Sequence, residues 1–177
     1  MSSLLQKLLA IHSSPAICGI KASNLINVKI TDELYEEIEE LNKKYPRLCF
    51  YVLKNDGNNA LILIYRRNVL EKYLFEDDNK SFLDSIGYNT ESVEGMLDSL
   101  KERINQDSFP HEIGVFLGYD LSDIKSYIDG KECLYVGYWK VYSNVSEKVK
   151  LFNKYTRCKN AVIRMLDKGF PIENYMR

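Results

Sequence analysis

The spacing of apolar and polar residues predicts a helix in eight segments of the chain. After Thr31, leucine and isoleucine recur at intervals of four and three residues between glutamates, and Pro46 follows as a stop. Thr31 is a good N-cap for this segment. Asn144 and Glu147 predict a capping box at the start of the last helix. The predicted helices cover residues 2–11, 31–45, 68–77, 80–86, 90–105, 110–117, 121–129 and 144–168.

Segments rich in β-branched and aromatic residues predict four strands, at 25–30, 48–54, 60–66 and 132–142. Asp56-Gly57 lies between the second and the third strand, and both residues tolerate a positive φ. We therefore expect an antiparallel hairpin over 48–66. Strands and helices do not alternate regularly along the chain. This order predicts an α+β fold, in which a small antiparallel sheet of three to four strands packs on one side against several helices.

The composition fits one folded domain over residues 1–177. Hydrophobic residues make up 45% of the chain and charged residues 28%, which is enough apolar material for one core and unlike a disordered chain. No apolar segment approaches the roughly 20 residues that cross a bilayer. The first residues lack the features of a secretory leader. We expect a cytoplasmic protein that does not bind membranes.

The net charge, the cysteine spacing and the missing motifs argue against several common kinds of binding and catalytic site. The net charge is −1, so the chain as a whole has no electrostatic attraction to nucleic acid. None of its four cysteines forms a C-x-x-C pair, and neither histidine stands at zinc-finger spacing from a cysteine, which favours free thiols and no metal site. The sequence has no phosphate-binding loop, dinucleotide fingerprint or serine-hydrolase elbow. The sequence therefore leaves the cofactor unknown.

Residues 9–25, LAIHSSPAICGIKASNL, carry His12, Cys18 and Lys21 in a loop-like region after the first helix. An imidazole, a thiol and an amine are common carriers of proton transfer and nucleophilic chemistry near neutral pH. Gly19 would admit a ligand close to the backbone. The alternative interpretation of this segment is a helix end, a proline turn and a small buried cysteine.

Residues 109–119, FPHEIGVFLGY, place His111 and Glu112 in the first turn of a predicted helix behind Pro110. A histidine and an adjacent carboxylate can serve as a base and its partner. A zinc site of the H-E-x-x-H type is excluded because its second histidine position is Val115. The alternative is a short amphipathic helix on which both side chains are exposed.

The same region also matches the spacing of a helix-turn-helix motif. Gly114 would let two helices cross closely, Gly118 would make the turn, and Ile124 would lock the second helix. The second helix, DLSDIKSYIDG, carries three aspartates against one lysine, and carboxylates would repel DNA phosphates. We therefore interpret the pair as an αα-hairpin of the core and do not expect nucleic-acid binding.

Aromatic and basic residues supply the remaining candidates. The chain has 13 tyrosines, which suit half-buried walls and interfaces, although an AT-rich genome would also favour tyrosine. Tyr138 and Trp139 could form an aromatic wall beside a ligand. Arg66-Arg67 ends a predicted strand and could bind an anion. The lysines and arginines of the last helix are typical of a solvated face.

Three stretches of the sequence together resemble the motifs of an uncharacterised family of Clostridia-type anaerobes, domain of unknown function family 3793. They are HSSPAICGIKASNL, FPHEIGVFLGYDLSDIKSYI and GYWKVYSNVSEKVKLFNKYTRCK, and the resemblance extends over residues 4–168. It implies a bacterial cytosolic protein, with no known activity, cofactor or catalytic residue. Members are often encoded near flavodoxin-like genes, which implies a redox-linked role. Members often carry a cysteine after the first histidine, where this chain has Ser13.

Two function hypotheses follow. In the first, the protein binds a small molecule or cofactor, with or without catalysis, in a pocket that His12 and His111 share as proton carriers. Four further residues would belong to this pocket: Lys21 as an anion or carbonyl contact, Glu112 as the orienting carboxylate, and Tyr138 and Trp139 as the aromatic wall. In the second, the protein is a non-catalytic interaction module for a redox partner such as a flavodoxin.

Overall fold

The computed structural model describes residues 1–106 and 108–177, and its mixed architecture confirms the predicted α+β class. The described strands are β1 (Ser23–Lys29), β2 (Leu48–Asn55), β3 (Asn59–Arg66), β4 (Tyr135–Val136) and β5 (Lys140–Val141). The described helices are α1 (Ser3–His12), α2 (Ser14–Ile17), α3 (Asp32–Lys44), α4 (Arg67–Leu74), α5 (Asp77–Ser85), α6 (Val93–Ile104), α7 (Ile113–Phe116), α8 (Leu121–Ile128), α9 (Val145–Asp167) and a final 3-10 helix (Ile172–Tyr175). Within these ranges, none of the helices combines the length and the apolar character that a bilayer crossing requires.

The main sheet has three strands in the order β1-β3-β2, with both neighbouring pairs antiparallel. The predicted 48–66 hairpin is confirmed, because β2 pairs with β3 from Leu48 opposite Arg66 onward. Gly57 adopts a φ of +86° in the connecting turn, a conformation that suits glycine. The predicted strand at 25–30 is present as β1, which pairs with the other edge of β3.

Helices cover both faces of this sheet, so the prediction of helices on one side was wrong. Ile62 and Ile64 of β3 pack with apolar residues of α1, α3, α9 and the 3-10 helix. Leu63 and Tyr65 pack on the opposite face with residues of α4 to α8. A strand buried on both faces has a continuous apolar sequence instead of an alternating one, and residues 60–65 are such a run. The central position of β3 therefore requires a helical layer on each side.

The predicted single strand over 132–142 was also wrong. The chain turns back between β4 and β5, and the Gly137 N–H donates to the Trp139 carbonyl at 3.0 Å. A Cβ at position 137 would lie 2.3 Å from ring carbons of Phe152, so only glycine fits where the hairpin contacts α9. Glycine within a strand pattern often marks such a bend or close approach.

The two predicted helix caps had different outcomes. Thr31 Oγ1 accepts the Leu34 N–H at 3.2 Å, so the cap of α3 is confirmed. Asn144 makes no side-chain cap bond and has a left-handed backbone with a φ of 50°, so the predicted capping box with Glu147 was wrong. Asparagine tolerates this conformation better than most residues, and here it turns the chain from the β4–β5 hairpin into α9.

The helices α7 and α8 form a tight helical hairpin, as the glycine spacing predicted. A Cβ on Gly114 would lie 2.9 Å from Ile124 Cγ1, so the two helices cross where there is no room for a side chain. Gly118 makes the turn with a φ of +70°, and a Cβ there would lie 2.9 Å from the Cβ of Ala22. The α7–α8 hairpin is thereby held against the start of β1 and faces the β4–β5 hairpin.

Candidate functional site

A pocket of about 280 Å³ lies between α7, α8 and the β4–β5 hairpin. This volume is near the lower end of those that bind small molecules in proteins. Ile113 and Ile124 contribute aliphatic surface to the lining. Four aromatic side chains also line the pocket, and they are Tyr119, Tyr127, Tyr138 and Trp139. The enclosure is thus small and mostly apolar, with an unusual density of rings.

Trp139 is the most buried ring of this aromatic wall, at 7% exposure. It stacks on Tyr119 with ring centroids 4.6 Å apart and an interplanar angle of 21°, and it meets Phe152 edge-on at 4.6 Å. Tyr138 packs against Phe152 and Tyr155 of α9 at 5.5 and 5.4 Å. Because α9 supports the rings from behind, their orientation is fixed before any ligand arrives.

Asp123 is a buried carboxylate that fastens the β4–β5 hairpin to α8. It is 1% exposed. Its Oδ2 accepts the Trp139 Nε1–H at 2.9 Å, and its Oδ1 accepts the backbone N–H of Tyr142 at 2.8 Å. Lys148 Nζ of α9 lies 3.9 Å from Oδ2 and also pairs with Asp120. Since both oxygens and the charge of Asp123 are engaged, this residue orients Trp139 and presents no free anion to the pocket.

Two basic side chains, His111 and Lys140, meet at the ring of Tyr127. The imidazole lies edge-on to that ring with centroids 5.0 Å apart, and Lys140 Nζ lies 5.2 Å from the same centroid. All three side chains are exposed. Within the described ranges, neither basic group lies within ion-pair distance of a carboxylate. The mouth of the pocket therefore carries basic groups whose hydrogen-bonding capacity remains for a ligand.

The structure does not bring His12 and His111 together. His12 ends α1, which packs on the face of the main sheet that carries Ile62 and Ile64. His111 precedes α7, which packs on the opposite face. His12 is exposed and does not line the pocket, so the site contains His111 with Tyr138 and Trp139 but excludes His12. The helical period predicts that α1 has an apolar side, but not which face of the sheet this side covers.

Lys21 lies close to the pocket but does not line it. Its side chain is buried, with Nζ donating to the Ser23 carbonyl at 2.5 Å and lying 5.3 Å from the centroid of Tyr119. Burial away from water lowers the pKa of this amine from 10.5 to about 7. The predicted contact with an anionic ligand is not formed at this pocket, because Lys21 supports Tyr119 from inside the protein.

Glu112 is engaged away from His111, in a partly buried network with α6. Its Oε1 accepts hydrogen bonds from Tyr88 Oη and from Arg103 Nη1, each at 3.1 Å. Burial and the Glu112 carboxylate together raise the pKa of Tyr88 above its usual range. The Arg103 guanidinium also lies 4.6 Å from the Tyr88 ring centroid. Glu112 therefore anchors the approach to α7, and the predicted role as orienter of His111 finds no hydrogen bond in the described part of the chain.

The thiol of Cys18 is also a poor nucleophile in this fold. Burial raises its pKa to about 12, with a smaller contribution from the neighbouring thiol of Cys158 in α9. All four cysteines are free thiols. Within residues 1–106 and 108–177, no group of three or more His, Cys, Asp or Glu side chains is arranged to hold a metal ion.

A larger cleft of about 620 Å³ lies elsewhere, between residues 44–47 and 171–177. Its lysine, Lys44, already pairs with Glu173 at 3.2 Å and lies 5.3 Å from the centroid of Tyr45. The Lys44 side chain is 61% exposed. This cleft lacks the aromatic enclosure and the buried polar anchor that orient a ligand, so we assign the candidate site to the smaller pocket.

Four residues that line this pocket were not among the site residues predicted from the sequence, and they are Tyr119, Asp123, Tyr127 and Lys140. One signal was available for two of them. Asp123 and Tyr127 are four residues apart and therefore share a side of α8. That side adjoins Ile124, the residue that the helix-turn-helix spacing placed against α7. The long-range contact with Trp139 had no local signal.

A family model described as a protein of unknown function (DUF3793) matches residues 9–176. No curated protein and no solved structure matches the chain. The matched range includes α7, α8, both short strands and every residue that lines the pocket. The candidate site therefore lies inside the region that the family model represents.

Proposed function

The chain belongs to the family described as protein of unknown function DUF3793, and we propose that it binds a small molecule in the pocket between α7, α8 and the β4–β5 hairpin. One observation carries this proposal. The indole of Trp139 is oriented by the buried carboxylate of Asp123 at 2.9 Å, while its neighbours enclose a space of about 280 Å³. A buried carboxylate is costly unless its bonds are satisfied, and here the satisfied carboxylate positions the wall of a pocket.

The position of each side chain in the pocket indicates its proposed role. Tyr138 and Trp139 form the wall, as the sequence led us to expect. His111 lies at the mouth, where an imidazole can donate or accept a proton. Of the proton carriers predicted from the sequence, His111 lines the pocket, whereas His12, Lys21 and Glu112 do not. We place this activity in the bacterial cytoplasm, a reducing compartment that suits four free thiols.

Binding can be tested through the single tryptophan of the chain. In ¹H–¹⁵N spectra, Trp139 gives one indole N–H resonance, and this proton is the one bound to Asp123. We expect planar aromatic compounds from a fragment library to shift that resonance saturably. Tyr138→Ala should weaken binding by about tenfold, since it removes one ring of the wall.

Tyr135→Ala is the matched control, because Tyr135 is on the same hairpin, is 41% exposed and does not line the pocket. It should bind the fragments like the wild type. A library in which no compound shifts the Trp139 resonance, or equal binding by the Tyr138→Ala protein, would contradict the proposal.

A second candidate function is the docking of an acidic redox partner such as a flavodoxin. The observation that favours it is a stripe of exposed basic residues along one side of α9 and its end, at intervals of three, four and seven: Lys150, Lys154, Arg157, Arg164 and Lys168. Within the described residues, none of these cations forms an ion pair. A basic stripe of this length would attract an acidic surface and accelerate encounter at low ionic strength.

This second function predicts a charge-reversal effect. The double variant Lys154→Glu and Arg157→Glu should lose most of the affinity for a purified bacterial flavodoxin in calorimetry at low ionic strength. The double variant Lys29→Glu and Lys54→Glu changes the net charge equally at exposed positions of β1 and β2, and it should retain binding. Equal losses in the two proteins would indicate a general charge effect and no docking stripe.

A further inference from the structure

The electrostatics of the pocket specify the charge of its ligand. Its one buried carboxylate, Asp123, already accepts from Trp139 and Tyr142 and is balanced by Lys148. A cationic ligand would therefore find no free negative charge inside. Apart from Asp123, His111 and Lys140, the lining consists of aromatic rings, two isoleucines and a glycine.

The mouth of the pocket carries two basic side chains, Lys140 and His111. Lys140 Nζ and the His111 imidazole both lie about 5 Å from the ring of Tyr127, at 5.2 and 5.0 Å from its centroid. Two carboxylates close to this group in sequence are engaged elsewhere: Glu112, next to His111, pairs with Arg103 at 3.1 Å, and Asp129, two residues after Tyr127, pairs with Lys131 at 3.4 Å. An anionic group at the mouth would gain a charge-assisted hydrogen bond from Lys140 and a second donor from His111.

The volume limits the size of the ligand. A space of about 280 Å³ corresponds to roughly nine water molecules at about 30 Å³ each. One aromatic ring or a small fused ring, with one substituent, fills such a space. Flat rings also suit the stacked and edge-on geometry of Tyr119, Tyr138 and Trp139, because aromatic pairs prefer these arrangements.

Building on the proposed function, we infer that the pocket takes a small planar aromatic carboxylate, with the ring against Trp139 and Tyr138 and the carboxylate at Lys140 and His111. The apolar wall then covers the ring, and the exposed basic pair meets the group that stays hydrated. The charge requirement distinguishes this ligand from aromatic amines and neutral aromatic compounds of the same shape.

Three probes of nearly equal shape test the charge directly. Benzoate, benzamide and benzamidine carry negative, zero and positive charge on the same ring. Titrated against the Trp139 indole resonance, benzoate should bind about tenfold more tightly than benzamide, and benzamidine most weakly. Lys140→Gln should bring the ratio of the benzoate and benzamide affinities close to one, because it removes the inferred cationic contact. Lys125→Gln is the matched control, since Lys125 is an exposed lysine of α8 that does not line the pocket.

The possible outcomes separate the charge inference from the proposed function. Equal affinity for the three probes, or tightest binding of benzamidine, would overturn the charge inference and leave the pocket as a binding site. The absence of any shift with all three probes would overturn the aromatic carboxylate, and the fragment library would then decide whether the pocket binds another class. A benzoate preference that survives Lys140→Gln would also contradict the inferred contact.

Discussion

Replacement of Asp123 by alanine is expected to lower the free energy of unfolding by about 3 to 5 kcal/mol, the usual range for removing one partner of a buried charged network. The variant would leave the Trp139 indole N–H and the Tyr142 backbone N–H without their acceptors at 2.9 and 2.8 Å. It would also leave Lys148, which is 11% exposed, with Asp120 as its one carboxylate partner among the described residues. Urea unfolding followed by circular dichroism measures the loss.

Two further variants test whether the loss of stability comes from the hydrogen bonds of the Asp123 carboxylate. Asp123→Asn keeps one oxygen acceptor but turns an amide donor toward the other N–H, so an intermediate loss is expected. Asp129→Ala, at the exposed end of α8, should change stability by less than about 0.5 kcal/mol, because its carboxylate is 58% exposed and its ion pair with Lys131 lies at the surface. A loss of less than about 1 kcal/mol for Asp123→Ala would show that the hairpin does not depend on this carboxylate.

Local chemistry explains the elements that the sequence predicted correctly. The 48–66 hairpin needed only two apolar runs and a turn that accepts positive φ, which Gly57 provides at +86°. The α7–α8 hairpin needed a small residue, a turn glycine and an aliphatic residue at fixed spacing, and Gly114 and Ile124 make that contact. In each case the residues that determine the structure lie within about 20 positions of one another in the chain.

Two of the incorrect predictions concern contacts between distant segments. The bend at Gly137 follows from the ring of Phe152, a residue of another element. Helices on both faces of the sheet follow from the central place of β3. The uninterrupted apolar run at 60–65 was the available signal, because such a run is typical of a strand that is buried on both faces.

The candidate site was predictable only in part, because local chemistry identifies reactive and aromatic residues but not their long-range contacts. His111, Tyr138 and Trp139 were chosen for their chemistry, and the fold brings them to one pocket. Asp123 was considered only as a carboxylate that disfavours DNA binding. A single buried aspartate has no periodic signature, so its role becomes visible only when Trp139 and Lys148 arrive from other parts of the chain. Lys21 shows the same effect, because no local pattern predicts that a lysine in a glycine-containing turn becomes buried.

The burial of Lys21 gives the protein a stability that depends on pH. Below about pH 7 both the folded and the unfolded state carry a charged Lys21, and the folded state bears the full cost of removing that charge from water. Above this pH the folded state releases the proton, whereas the unfolded state keeps it up to the ordinary pKa of 10.5. Because the unfolded state then binds more protons, the free energy of unfolding rises with pH in this interval.

For the wild type we expect an increase of about 2 kcal/mol between about pH 6.5 and 8.5 from this group alone. Lys21→Met removes the titrating amine but keeps an unbranched side chain, so this contribution to the slope should disappear and the variant should gain stability over the wild type mainly at the acidic end. Urea unfolding at several pH values measures both slopes. Lys125→Met, which removes an exposed lysine 5.4 Å from the ring centroid of Phe82, should keep the wild-type slope. Parallel pH profiles for the wild type and Lys21→Met would show that Lys21 stays protonated in the folded protein, and the amine would then need a water or an anion beside it.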